Sequence, residues 1–200
     1  MTTILHGFPF SANSYRVRLL LHLLSVPHEE RVVDLLRGEH RRPPFLALNP
    51  LGQVPVLEDD GHVHIESHAI AVHLARRYGP DWLPDDALPE ILQWLFFDAT
   101  ELHSGVGIAR NHRLTGMPSD ASAADAKARA AFDVLDAHLS RRGWLVLDRA
   151  TLADVACYPF VAVAEEAGLD PAAWPHLSAW ARRVAGVPGF VAMPRVPRRG

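Results

Sequence analysis

Asn49-Pro50-Leu51-Gly52-Gln53-Val54-Pro55-Val56-Leu57, followed after one hairpin by Glu66-Ser67, has the residue types and spacing suited to holding a small peptide. Val54 precedes a proline, and an X–Pro bond adopts cis at a cost of only about 0.5–1 kcal/mol. A cis bond here turns the Val54 N–H and C=O outward, where an extended guest can pair with them as a short added strand. Glu66-Ser67 opens a helix whose first turn offers N–H groups and positive potential to a guest carboxylate, with the Ser67 hydroxyl as a further donor. Glu66 can take an ammonium. Taken singly, the same pieces also make ordinary scaffolding: a proline-led strand, a hairpin and a serine-capped helix. Their order along the chain points to a ligand site.

The histidines raise a different chemistry, metal binding, and the chain holds twelve of them. His62 and His64 fall on one face of a strand, but no cysteine or second histidine pair completes a set of ligands. His68 and His73 are five apart rather than the four that stack side chains on one helix face. No metal is expected. Cys157 is the single cysteine, which excludes an internal disulfide framework and every multi-cysteine zinc pattern.

The elements that must position these residues can be read in order. Thr3 to His6 is a short strand ended by Gly7, and Asn13 or Ser14 stands where a helix cap is needed. Val17, Leu20, Leu21 and Leu24 then follow helical spacing. Glu30 to Leu35 reads as a second strand, giving βαβ and hence a parallel pair. Arg37 to Pro44 is irregular, and Phe45 to Leu48 makes at most a short helix. Val54 to Glu58 and His62 to Ile65 flank Asp59-Asp60-Gly61, a hairpin signal, and Ser67 to Tyr78 is helical. Gly79 to Asp86, rich in Pro and Asp, breaks the pattern, and strand signals nearly vanish after it.

Beyond the break come a helix from Glu90 to about His103, continuing toward Arg113, and an Ala-rich helix from Ala121 to about Arg142. In the first of these Leu92, Leu95, Phe96, Ala99 and Leu102 form the apolar stripe. Thr151-Leu152-Ala153-Asp154 has capping-box spacing ahead of an apolar helix, Val155 to Ala167, with Gly168 as its C′ residue. Pro175 to Ala185 is the last helix. The domains expected are 1–78, α/β, a linker at 79–88, and 89–200, all-helical.

Composition limits the partners. The chain has 200 residues, 48% hydrophobic and 22% charged, with a net charge of −3. Nothing in that balance suggests a nucleic-acid-binding face. The apolar runs are far short of the ~20 residues a membrane span needs, and the first residues lack a signal-peptide pattern. A cytoplasmic protein acting on neither nucleic acid nor membrane is expected.

Together these residues resemble the cytosolic glutathione transferase superfamily, its bacterial theta-, delta- and nu-like members above all. The resemblance rests on Asn49-Pro50-Leu51-Gly52-Gln53-Val54-Pro55, on Glu66-Ser67 with Ala69-Ile70, on Thr151-x-x-Asp154 and on the closing Pro188-Gly189-Phe190. It covers essentially the whole chain. It implies a thioredoxin-like N-terminal domain (βαβ, then ββα), an all-helical C-terminal domain and a twofold homodimer, with glutathione as co-substrate and a small hydrophobic electrophile as its partner. Carried over, Val54 with Pro55 pairs the backbone of glutathione's cysteine. Glu66 and Ser67 grip its γ-glutamyl end, and His40 and Gln53 lie near its glycine carboxylate. The resemblance places Phe10, His103, Arg110 and His112 toward the electrophile pocket.

Such chemistry needs glutathione as thiolate. A thiol of pKa about 8.5 is only about 3% ionised at pH 7, and lowering it by about two units takes about 2.7 kcal/mol. A helix N-terminus with one or two aimed donors supplies this. Ser11 resembles the sulfur-donating hydroxyl of the theta- and delta-like classes and leads. Asn13 resembles the amide of some bacterial members and is second, with Ser14 third. No tyrosine ends the first strand, and no cysteine stands in this loop, so a mixed disulfide with the protein's own thiol is not available there. What remains is conjugation, glutathione-dependent peroxide or disulfide reduction, isomerisation or dehalogenation on the same site. A non-catalytic binding module of the same fold is the other alternative, though the Ser11 and Glu66-Ser67 positions are intact.

Overall fold

The computed structural model describes residues 3–197. Met1, Thr2 and residues 198–200, which the expected domain limits include, lie outside the described residues. The chain divides into two compact units: Met1–Pro80 together with Pro188–Gly200, and Asp81–Val187. Residues 188–197 therefore join the first unit and not the helical one in which the sequence places them. Part of what holds them there is the Tyr15 hydroxyl, which donates to the Val191 carbonyl at 2.7 Å.

The first unit is built on a four-stranded sheet, β1 (Thr3–Gly7), β2 (Glu29–Val32), β3 (Val56–Asp59) and β4 (His62–Ile65), in the order β2-β1-β3-β4. β1 and β2 run parallel across the helical crossover α1 (Ala12–Leu23). β3 is antiparallel to both β1 and β4. Asp60 and Gly61 both take positive φ (53° and 81°), as a two-residue hairpin turn matched to the strand twist requires. β2 stops three residues short of the expected Leu35 because the Asp34 carboxylate accepts from the N–H of Leu36 and of Arg37, curling the chain into a turn. β3 starts at Val56 and not Val54, since Pro55 has no N–H for the ladder.

α1 is capped by Ser11 and not by Asn13 or Ser14: the Ser11 Oγ accepts from the Ser14 N–H at 3.2 Å. Tyr15, Val17, Leu19, Leu20 and Leu21 are fully buried, while Leu24, the C-cap residue, is half-buried. α1 packs against α3 (Ser67–Tyr78), which buries Ile70 and Leu74. Between β2 and β3, the one-turn helix α2 (Pro43–Leu46) sets Phe45 against Val33 and Val56. Asp59 ties this unit together, accepting from the Thr3 hydroxyl (2.8 Å), His73 Nε2 (2.8 Å) and the Tyr78 hydroxyl (2.8 Å). Burial alone raises its carboxyl, but the hydrogen bonds from His73, Tyr78 and Thr3, with the Arg77 charge, bring it below its ordinary value.

In the second unit α4 (Leu88–Phe97), a π-helical stretch (Asp98–Gly107) and α5 (Ile108–Thr115) follow one another. The backbone stays right-handed helical at the junctions, so they form one rod. Its buried apolar residues include Ile91, Trp94, Leu95, Leu102, Val106 and Ala109, whereas Ala99 and Phe96, both expected inward, are exposed, Phe96 by 67%. The helix has apolar residues almost all round, so packing on α7, not spacing, chooses the inward face. α6 (Ala121–Leu139), α7 (Leu152–Ala162) and α8 (Pro175–Ala185) complete the unit. α7 ends earlier than expected, passing into a 3₁₀ turn (Ala164–Ala167) before Gly168 at φ 76°. It is buried from Leu152 to Val161, Cys157 included. Asp154 is fully buried and accepts from the Thr151 N–H (2.9 Å), the Leu145 N–H (3.1 Å) and the Trp180 indole (2.8 Å).

Two consequences can be measured. Asp154→Ala strands four buried donors, the Thr151 N–H and hydroxyl, the Leu145 N–H and the Trp180 indole, at about 1–3 kcal/mol each, so urea denaturation should show a loss of at least ~3 kcal/mol. A depressed carboxyl such as Asp59 contributes stability above its unfolded value of about 3.9. That contribution is lost as pH falls through the lower folded value. The wild-type melting temperature should therefore drop below about pH 4, and Asp59→Asn should be less stable at neutral pH with a flatter acid limb.

Candidate active site

The register of the sheet brings the singled-out segments to one edge. Val56 stands opposite both His6 of β1 and Ile65 of β4. The next residues out are Gly7, Pro55 and Glu66, so all three lie at the same end of the ladder. α1 begins five residues after Gly7 and α3 begins one after Glu66, and both helix N-termini are thereby set at that end. Two helix N-termini make it a region of positive potential.

Arg16 joins them. It is fully buried, and its Nη1 donates to Asn13 Oδ1 at 2.9 Å and to Ser67 Oγ at 2.6 Å. Because arginine only donates, the atom of Asn13 facing it must be the oxygen, and the Asn13 amide hydrogens remain for another acceptor. Ser67 likewise gives Arg16 a lone pair and keeps its hydroxyl proton. Ser11 does the same in its cap, where one lone pair receives the Ser14 N–H. All three side chains are thus held as acceptors from within and left as donors outward. Ser14 itself is fully buried, its Oγ accepting from the Phe8 N–H, which sets it behind Ser11.

Glu66 is the N-cap residue of α3, with φ 67° and ψ 111°. A positive φ is unusual for a glutamate and costs of order 1–3 kcal/mol, a cost that recurs at ligand clamps. Its side chain is exposed while Ser67 beside it is buried. The first intrahelical bond runs from Ile70 N–H to Glu66 C=O, which leaves first-turn N–H groups, that of Ser67 among them, without an intrahelical acceptor.

The Val54–Pro55 peptide is cis, with Val54 half-buried and Pro55 buried. The loop before it is braced from two sides. Asn49, 2% exposed, donates from Nδ2 to the Gln53 carbonyl at 2.8 Å and accepts from the Leu51 N–H at 3.0 Å. Gly52 takes φ 61°, and a Cβ there would stand 2.8 Å from the His40 carbonyl oxygen, so the loop lies directly on residue 40. His40 Nδ1 is buried with no hydrogen-bond partner among the described residues, while Gln53 is exposed. A buried ring nitrogen left unmatched carries a cost that a polar guest atom would remove.

The four residues named for an electrophile pocket divide between the units. Phe10, half-buried, packs edge-to-face on Phe8 at 5.5 Å, next to Ser11. In the second unit His103 is exposed and its ring meets Phe160 edge-on at 5.8 Å. Arg110 is 5% exposed and donates from Nε to Glu166 at 2.6 Å, so its charge serves that unit's interior. His112 bonds the Met117 carbonyl at 3.0 Å and fixes the turn after α5. A separate hollow of about 300 Å³, lined in part by His6, Glu39, Arg42 and Phe45, contains none of the candidate residues.

Arg16 and Asn49 are absent from the sequence-based set. Asn49 is signalled by the Asn-Pro turn it opens. Arg16 has no comparable signal, because its second partner lies 51 positions away.

Comparison with known proteins adds to this geometry. The family described as "Glutathione S-transferase, N-terminal domain" matches residues 5–82, and "Glutathione S-transferase, C-terminal domain" matches residues 97–188. Glutathione S-transferase 3 of Zea mays is 35% identical, over 93% of this chain and 90% of that one. Maleylacetoacetate isomerase of Rhizobium meliloti (strain 1021) is 33% identical, over 94% and 93%. The crystal structure of a possible glutathione S-transferase from Rhodopseudomonas palustris superposes with a TM-score of 0.89 at 36% identity, covering 98% of this chain and 100% of that one.

Replacing Arg16 by methionine keeps volume and removes the donor shared by Asn13 and Ser67. Retention on immobilised glutathione should weaken at least tenfold and the melting temperature should fall by several degrees. Wild-type retention in Arg16→Met would mean the two helix ends hold their places without it.

Proposed function

The chain belongs to the glutathione S-transferase family, and on that premise we propose that it is a glutathione transferase in which Ser11 donates its hydroxyl proton to the sulfur of bound glutathione. The observation that carries the assignment is the Ser11 cap. Its Oγ already accepts from the Ser14 N–H, so the hydroxyl is fixed in place while its proton stays available at the mouth of α1. A hydrogen bond to a charged acceptor contributes about 1.5–3 kcal/mol, and a helix N-terminus adds about 0.3–1 kcal/mol. Together they reach the ~2.7 kcal/mol that lowers a thiol pKa by two units. The Asn13 amide is a second donor to the same sulfur.

The rest of glutathione follows the edge of the sheet. Its γ-glutamyl carboxylate meets the Ser67 hydroxyl and first-turn N–H groups of α3, and its ammonium meets Glu66. Its cysteinyl backbone pairs with Val54 beside Pro55. The glycine carboxylate lies toward Gln53 and His40, whose unmatched Nδ1 supports that end of the assignment. The thiolate attacks an electrophilic carbon of a small hydrophobic substrate, a C–S bond forms, and the displaced electron pair leaves with the departing group or enters the substrate's π system. Phe8 and Phe10 give an apolar surface beside Ser11 for such a substrate.

The similarity to maleylacetoacetate isomerases favours a second outcome at the same site. If the thiolate adds reversibly to a conjugated cis alkene and departs after bond rotation, glutathione is regenerated. Consumption of glutathione separates the two. We place the enzyme in the cytoplasm as a homodimer. No helix among the described residues is long and apolar enough to cross a membrane. Large apolar side chains left exposed in each unit, Leu36 and Leu51 in one and Phe96 in the other, support a second copy covering them.

Ser11→Ala tests the central assignment. Turnover should fall by about 10²-fold while the glutathione KM changes little, and the bound thiol should titrate at higher pH by ultraviolet thiolate absorbance. If Ser11→Ala and Asn13→Ala both turn over like the wild type, the sulfur is activated by other groups.

A further inference from the structure

At the far end of α1, roughly 16 Å from Ser11 by helical rise, His22, His28 and Glu30 each bring one potential ligand atom into a small cluster. All three atoms lie within 4.8 Å of one another. His22 comes from the last turn of α1, His28 from the connection that follows, and Glu30 from β2. We propose that these residues form a site for a divalent first-row transition cation, zinc in particular, with two imidazole nitrogens and one carboxylate oxygen as protein ligands and water completing the coordination.

The surroundings are those of a metal site. His28 Nδ1 lies 2.9 Å from the Val26 carbonyl, an atom that only accepts, so Nδ1 carries the proton. The lone pair of the neutral ring is then on Nε2, 3.6 Å from Glu30 Oε1. A backbone carbonyl fixing the tautomer is the usual second partner of a metal-binding histidine. The His28 side chain is only 8% exposed, so its ring is a fixed post. The His22 ring stands 5.2 Å from it, nearly perpendicular at 84°, and does not stack on it.

Arg18 donates from Nε to both Glu30 oxygens, at 2.9 and 2.7 Å, and so orients the carboxylate. Its charge opposes a cation, while Glu30 and the partial negative charge at the C-terminus of α1 favour one. Bonds of about 2.0–2.1 Å draw ligand atoms to roughly 3.4 Å apart in a tetrahedral site, so a cation must pull in the outer ligands by about an ångström. His22 and Glu30 both lie nearer the surface than His28.

The other close histidine pair is arranged differently. His64 and His73 stack face to face at 3.9 Å, and His73 Nε2 is taken by Asp59. The spacing His22-x5-His28-x-Glu30 crosses a helix, a loop and a strand, and so escapes a search for ligand pairs within one element.

The test is zinc titration of the full chain, stripped of metal with a chelator and dialysed, against a chromophoric competitor. One equivalent per chain should bind. His22→Ala, His28→Ala and Glu30→Gln should each weaken binding tenfold or more, while His62→Ala, an exposed histidine elsewhere in the unit, should leave it unchanged. Retention on immobilised glutathione should be the same in all of them. Zinc should also raise the melting temperature of the wild type and not of His22→Ala. If His28→Ala does not fold by circular dichroism, His22→Ala and Glu30→Gln decide the question. Absence of stoichiometric binding in the wild type, or full binding in both of those variants, would overturn the proposal.

Discussion

One buried cation organises the end of the sheet where the N-termini of α1 and α3 meet. Arg16 sits under the first turn of α1 and gives two hydrogen bonds from a single nitrogen, one to Asn13 in its own helix and one to Ser67 in α3. A buried guanidinium costs several kcal/mol unless its donors are matched. Each hydrogen bond from a charged donor returns about 1.5–3 kcal/mol. The helix ends are therefore kept in register by the requirement that Arg16 be satisfied. The same cation adds positive potential at the two helix N-termini.

The site is economical because its polar groups serve two purposes. Ser11, Asn13 and Ser67 each accept a hydrogen bond that belongs to the fold and keep a hydrogen for the ligand. Folding thus orients the donors before the ligand arrives, which lowers the ordering cost of binding. His40 is the converse case. Its Nδ1 is buried and unmatched among the described residues, with its backbone pressed against Gly52. That is a local cost of the fold at this position.

The helical unit applies the same rule for stability. Asp154 accepts from the start of its own helix, from the preceding loop and from Trp180 of α8. In the first unit Asp59 gathers β1 and α3 onto β3. A buried carboxylate with several donors from separate segments makes each segment's position a condition for the others.

Much of this was legible in the residues alone. The parallel β1–β2 pair follows from βαβ order, the β3–β4 hairpin from Asp60-Gly61, and the Asp154 cap from its spacing to Thr151, because each depends on neighbours in the chain. The segment at Val54-Pro55 and the Glu66-Ser67 helix start were visible for the same reason. Tertiary structure alone decided which stripe of α4 faces inward and where residues 188–197 pack. It also decided that Arg16 would be buried and that His22, His28 and Glu30 would meet. Those outcomes turn on partners far apart in sequence or on competition between nearly equivalent apolar faces, and local periodicity carries no information about either.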